Sequence, residues 1–280
     1  MQLISTKKEL KSYLDSHKKT KSIGLVPTMG ALHMGHISLV KKSVEENELT
    51  FVSIFVNPTQ FNNKEDLDKY PSTLEADLNL LQAVSNDIVV FAPSASEIYS
   101  GEITSKTYDF EGLENVMEGE FRKGHFDGVG TIVEKLLRII SPTRAYFGEK
   151  DFQQLQIIKK LVENTNLPVE IIGCPIVREA NGLAMSSRNE RLDTELRQEA
   201  GFIYKTLKAA KQKFGTKSAN FVVDWVKKQF NAHPKLNLEY VKIADTDQLK
   251  PVKRKNRKVK YRAFIAVYAG DVRLIDNIAL

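Results

Sequence analysis

His33 and His36 stand three residues apart around Gly35 in the run LVPTMGALHMGHISLVKK. Two imidazoles so placed can donate hydrogen bonds to phosphoryl oxygens. The residues after them carry the apolar spacing of a helix, whose amino end adds unpaired N–H donors and a partial positive charge. Gly30 and Gly35 let a bulky ligand lie against the main chain. The chemistry within reach is the handling of nucleotide phosphates. The same spacing would also bring both rings to one helix face, as zinc requires. Zinc is the weaker alternative, because the one cysteine, Cys174, lies far along the chain and no second His/Cys cluster accompanies the pair.

Three further loops offer polar groups. In FVNPTQF, Asn57 and Gln60 are neutral donors and acceptors suited to a substrate's hydroxyl and carboxylate, and Pro58 stiffens the turn that presents them. A plain Asn-Pro turn explains those residues equally well. In YFGEKDFQQLQ, Gly148 opens a turn, Lys150 brings a flexible point charge, and Asp151 can cap the helix that follows. Gln153 and Gln154 fall in its first turn, and one of them is expected to face the same cleft. Taken singly, each of these residues also fits a capped helix with a solvated lysine. In GLAMSSRN, Ser186, Ser187 and Arg188 sit in a Gly-led mobile loop able to fold over a triphosphate. Alone, that stretch would also pass for a helix cap. None of these residues is placed as a covalent nucleophile.

Such loops need a frame. Short apolar runs at Ile23–Val26, Phe51–Val56, Ile88–Phe91, Ala145–Phe147 and Val169–Ile172 read as strands, alternating with helices at Ile37–Asn47, Ser72–Ser85, Val129–Ile140 and Asp151–Asn164. The S-T-L-E run from Ser72 to Glu75 predicts a capping box, and Pro142 and Pro168 close the two later helices. Alternation of this kind predicts an α/β fold, a Rossmann-like parallel sheet with helices on both faces. Such a sheet binds ligands at the carboxyl ends of its strands, where the chemical loops lie. After Cys174 the pattern changes to helices at Asp193–Phe214 and Ala219–Phe230, then strands in LEYVKIAD, RAFIAVYA and DVRLID. The expected domains are 1–175, a Rossmann-like domain, and 176–280, a smaller α+β domain.

Composition narrows the class. A hydrophobic content of 42% and a charged content of 27% are those of a water-soluble globular chain. No apolar run approaches the ~20 residues that span a bilayer, and the charged amino terminus lacks a secretion signal. With a single cysteine no internal disulfide framework is possible, which fits a cytoplasmic location. Much of the net charge of +6 sits in Lys250, Lys253, Arg254, Lys255, Arg257, Lys258, Lys260 and Arg262. We read this run as a solvated hairpin loop rather than a nucleic-acid patch, since Tyr261 is its only aromatic and no nucleic-acid-binding motif accompanies it.

PTMGALHMGH, FVNPTQF, GEKDFQQ and MSSRN, together with FRKGHFDGV and the closing RLIDNI, resemble the motifs of the pantoate–β-alanine ligase (pantothenate synthetase) family in order and spacing. The resemblance spans essentially the whole chain. His-x-Gly-His alone would mark only the wider HIGH-motif nucleotidyltransferase superfamily, and MSSRN resembles the mobile lysine-serine loop of class I aminoacyl-tRNA synthetases, with Arg188 in place of the lysine. Family membership implies a two-step ligation of pantoate and β-alanine that consumes ATP with Mg2+ and passes through pantoyl adenylate. It implies that His33, His36, Lys150, Ser186, Ser187 and Arg188 are catalytic. It places Met29, Gly30, Gly35, Gly148, Glu149, Asp151, Val177 and Met185 around ATP with them, and Gln60 and Gln154 on pantoate. Asn57, Tyr70, Glu118 and Arg122 would line the substrate side. No protein ligand for Mg2+ is expected, nor a nucleic-acid or membrane partner. The expected assembly is a homodimer.

Overall fold

A computed structural model describes residues 1–61, 67–68, 70–99, 101–252 and 254–280. Lys253 of the basic run lies outside the described residues. The chain divides into two compact units, Met1–Glu149 with Gln154–Pro175, and Lys150–Gln153 with Ile176–Leu280.

The first unit is built on six strands: β1 Gln2–Ile4, β2 Ile23–Thr28, β3 Leu49–Ile54, β4 Val89–Phe91, β5 Arg144–Gly148 and β6 Glu170–Cys174. They lie in the order β1-β4-β3-β2-β5-β6, and every neighbouring pair is parallel. In β3, Leu49, Thr50, Phe51, Val52 and Ser53 are buried in succession. Unbroken burial is the mark of a strand covered on both faces, and it is why these runs read as continuously apolar. The sheet is Rossmann-like, with helices packed on it. One face holds a core of Val26, Val40, Val52, Leu81 and Val90. The chain runs from β2 to one side through β3 and β4, then returns to β2's other side as β5 and β6. The order therefore reverses at β2, and the loops after β2 and β5 flank the switch point where open α/β sheets take their ligands.

Several local expectations change. The charged amino terminus forms the edge strand β1 and a helix, Lys7–Ser16, opened by a capping box between Thr6 and Glu9. The box expected at Ser72 does not form. That helix spans Leu74–Gln82 with Thr73 at its N-cap and no side-chain cap bond. The helix expected from Ile37 spans Met34–Glu46, because His33 serves as its cap.

In the second unit, the helix expected across Asp193–Phe214 breaks at Ala200 into Thr194–Glu199 and Gly201–Phe214. These and the helix Ala219–Asn231 accompany an antiparallel sheet of β7 Leu236–Asp245, β8 Tyr261–Ala269 and β9 Val272–Ala279, with β8 central. Leu207, Val222, Val226, Ile243, Ile265 and Val267 are among its core. The basic run joins β7 to β8 and is exposed from Arg254 to Lys260. Lys255 folds back to donate to the Phe214 carbonyl. Among the described residues, no helix is long and apolar enough to cross a membrane.

Candidate active site

The histidine loop begins where β2 ends. The Thr28 hydroxyl donates to the Ser53 carbonyl (2.7 Å) and accepts from the Gly30 N–H (3.2 Å). Gly30 then takes φ +78°, where a Cβ would stand 3.1 Å from both Asp77 Oδ2 and Ile54 Cγ2. Glycine is needed there on both counts. The Asp77 carboxylate, 1% exposed, accepts from the Ala31 N–H (3.0 Å) and the Leu32 N–H (2.7 Å) and so fixes the next turn. His33 follows with extended backbone. Its Nδ1 accepts from the Gly35 N–H at 3.1 Å, and His36 Nδ1 accepts from the His33 N–H at a longer 3.4 Å. The two rings lie 4.1 Å apart. A nitrogen that accepts from an amide carries no proton, so these bonds assign both imidazoles the Nε2–H tautomer. The loop thus supplies two neutral ring donors at the amino end of a helix.

Beside it, the turn Pro58–Gln60 after β3 carries a chain of amides. Asn57 is 1% exposed. Its Nδ2 donates to the Gly128 carbonyl (3.0 Å) and to Gln60 Oε1 (3.2 Å), while its Oδ1 accepts from the Tyr99 hydroxyl (2.5 Å) and the Thr59 hydroxyl (3.2 Å). Burial pushes the Tyr99 phenol up against the pull of Thr59, so it keeps its proton and donates. Every hydrogen-bonding position of Asn57 is filled. Gln60, with Oε1 engaged, turns Nε2 toward Met29 Sδ at 2.7 Å. A thioether is a weak acceptor, and an amide nitrogen carries a second N–H besides the one aimed at it. Behind the turn, His125 Nδ1 (2.8 Å) and the Arg122 guanidinium (3.4 Å) approach the Gln60 carbonyl. Gly128 makes the contact possible, since a Cβ there would stand 2.4 Å from the Thr59 carbonyl oxygen.

The remaining residues expected in the first unit are less tightly knit. Tyr70 packs its ring edge-on against Phe61 at 5.7 Å. Glu118 is buried in the short helix Glu118–Phe121. Gly148 ends β5, in register with Cys174. Of the paired glutamines, Gln153 is buried and belongs to the second unit, whereas Gln154 is half-buried and belongs to the first.

The second unit gathers the cationic residues. Met185 N–H donates to the Val177 carbonyl (3.0 Å), and Arg178 bridges to Ala184, so the chain doubles back just ahead of MSSRN. Ser186 caps the turn Ser187–Arg191 by accepting from the Arg188 N–H at 3.3 Å. Asn189 anchors that turn by donating to Glu179 Oε1 (2.7 Å) and the Ala184 carbonyl (3.1 Å). The loop expected as mobile is thus tied at its base. Lys150 sits in the turn Glu149–Asp151, with Nζ 3.4 Å from Asp151 Oδ1. Its carbonyl accepts from Asn277 Nδ2 at 2.9 Å. Among the described residues, no group of three or more His, Cys, Asp or Glu side chains is arranged to hold a metal ion.

Compared with known proteins, the chain matches the family model Pantoate-beta-alanine ligase over residues 2–279. The chain belongs to the pantoate–β-alanine ligase family. A pantothenate synthetase of Christiangramia forsetii is 59% identical over 260 residues, 93% of this chain and 92% of that relative. The crystal structure of the Thermus thermophilus pantothenate synthetase is 38% identical, with a TM-score of 0.92 and 99% of each chain covered. That of the Francisella tularensis pantoate–β-alanine ligase, complexed with β-γ ATP and β-alanine, is 38% identical with a TM-score of 0.80, covering 100% of this chain and 97% of that one. This member of the ligase family is an enzyme, with the family's two-sheet architecture.

Sequence reading misses Asp77, Tyr99, His125, Gly128 and Asn277. FRKGHFDGV and RLIDNI contain three of them and carry the family resemblance, without a role for any of the three. Asp77 and Tyr99 carry no local signal at all. Asp77 binds amides 45 and 46 residues away, and Tyr99 reaches back 42 residues.

Proposed function

We propose that the chain condenses pantoate with β-alanine to pantothenate, in two steps driven by ATP. A carboxylate oxygen of pantoate attacks the α-phosphorus of ATP, a new P–O bond forms, and the bond to the bridging oxygen breaks to release pyrophosphate. The amine of β-alanine then attacks the acyl carbon of pantoyl adenylate. An amide forms, AMP leaves, and the amine gives up a proton. The observation that carries this reading is a relative matching the chain end to end that is complexed with β-γ ATP and β-alanine.

The geometry supports assigned roles. Displacement at phosphorus needs positioning and charge stabilisation more than covalent help. His33 and His36 hold Nε2–H donors that serve the α-phosphate as its charge builds, a contribution of ~3–4 kcal/mol for such a donor. Lys150, Ser186, Ser187 and Arg188 hold the β- and γ-phosphates and the departing pyrophosphate. Met29, Gly30, Gly35, Gly148, Glu149, Asp151, Val177 and Met185 cradle the nucleotide. Gln60 and Gln154 grip pantoate, with Tyr70 and Arg122 on the same side. Asn57, with its hydrogen bonds filled by protein, acts behind Gln60. Mg2+ enters bound to the ATP phosphates as part of the substrate. The enzyme works in the cytoplasm as a homodimer, an assembly that sedimentation velocity tests directly.

The deciding experiment is exchange of labelled pyrophosphate into ATP. We expect exchange that requires pantoate, and AMP and pantothenate once β-alanine is added. Exchange driven equally well by an amino acid, or absent with pantoate, overturns the reading.

A further inference from the structure

We propose that Asn277 is a positioning residue for Lys150, fixing the main chain from which that lysine reaches the phosphates. The proposal rests on the role assigned to Lys150 above. Asn277 lies on β9 and is 2% exposed. Its Oδ1 accepts from Arg262 Nη1. A guanidinium only donates and a peptide carbonyl only accepts. The Asn277 amide therefore has one orientation, with oxygen toward Arg262 and Nδ2 toward the Lys150 carbonyl, 2.9 Å away.

Neighbouring contacts lock both ends of this bridge. The Asn277 N–H donates to Asp276 Oδ1 (2.7 Å), and Asp276 receives both Arg178 Nη1 (2.7 Å) and Nη2 (2.9 Å). At the other end, the Arg262 guanidinium lies over the Phe152 ring at 4.1 Å, and Phe152 packs near Phe264 at 5.9 Å. The same guanidinium thus orients the amide that holds residue 150 and covers the ring of residue 152. Lysine carries its charge on a flexible four-carbon stem. With its main chain fixed, the ammonium searches a smaller volume, and misplacement by ~1 Å costs about 10²-fold in rate in well-organised sites.

The test is Asn277→Asp, read by single-turnover adenylation and by the KM for pantoate. The new carboxylate keeps Arg262 as partner but turns an oxygen toward the Lys150 carbonyl, which removes that bond. We expect a fall of ~10-fold in the adenylation rate with the pantoate KM unchanged, and no further fall when the change is added to Lys150→Ala. Arg262→Lys, which frees the amide to turn, is expected to reproduce the rate loss should Asn277→Asp fold poorly. A full rate in Lys150→Ala would refute the role of Lys150 itself. A slow Lys150→Ala together with normal rates in Asn277→Asp and Arg262→Lys, or effects that multiply in the double variant, would refute the positioning role alone.

Discussion

Asn57 in the first unit and Asn277 in the second are both buried amides, and each joins donors on its oxygen to acceptors on its nitrogen. Their company differs. Asn57 meets two hydroxyls, a peptide carbonyl and another amide, all neutral. Asn277 meets a guanidinium, beside a second guanidinium paired with Asp276. The units follow the same division. The second unit carries 23 Lys and Arg against 12 Asp and Glu, while the first carries 18 against 23. One side chain thus does one task in two electrostatic settings, among neutral groups in the first unit and against a cation in the second.

The largest expected effect comes from forcing a negative charge into both settings. Asn57→Asp strips the donor from two carbonyl oxygens and buries a carboxylate whose hydrogen-bond partners are all neutral, so urea unfolding should show a loss of about 3–5 kcal/mol. Asn277→Asp keeps Arg262 as a cation and should lose less, about 1–3 kcal/mol, for the bond to the Lys150 carbonyl. Equal losses at the two positions would erase the contrast.

Next comes His33→Asn. Asparagine caps helices well, so the fold should keep its stability to within about 1 kcal/mol, while the loss of the Nε2–H donor should slow adenylation by ~10²-fold. A rate within about threefold of the parent would take the imidazole out of the chemistry. Gly128→Ala should have a smaller and more selective effect. Its Cβ would meet the Thr59 main chain at 2.4–2.6 Å, pushing the turn that bears Gln60. We expect the pantoate KM to rise ~10-fold and the ATP KM to stay within about twofold. Equal rises in both would separate Gln60 from pantoate.

The smallest effect concerns Glu134, a buried carboxylate of the first unit that does have cationic company. Burial works against its charge, yet hydrogen bonds from Lys106, Tyr108 and Arg138 outweigh it and hold the pKa down to about 2, below its ordinary 4.5. A carboxyl with a depressed folded pKa lends stability above its ordinary pKa and loses it as the pH falls toward the folded value. Stability should therefore decline from about pH 4.5 toward pH 2, and Glu134→Gln should flatten that slope. An unchanged slope would assign the acid sensitivity to other carboxylates.

The loops after β2, β3 and β5 are legible in the sequence because each follows a strand directly, and its pattern is carried within about ten residues. The sheet is legible for the same reason, since strands buried on both faces write themselves as apolar runs. Ser72 misleads because Thr73 beside it is an equally good cap, and local sequence does not say which of two adjacent hydroxyl residues takes the position. The wiring behind the loops is out of reach. Asn277 lies 127 residues from the carbonyl it holds, and His125 lies 65 from the one it approaches. Such pairings depend on strand order, which no local pattern encodes.

His33 caps its helix through the ring nitrogen that must stay unprotonated to do so. A second proton on that ring would cost the Gly35 amide its partner, so the charge state of the imidazole is tied to the magnetic environment of one backbone nitrogen. In a 15N-labelled sample, loss of that bond should move the Gly35 cross-peak. The cap of this helix thus carries its own reporter, readable without substrate and without a probe attached to the protein.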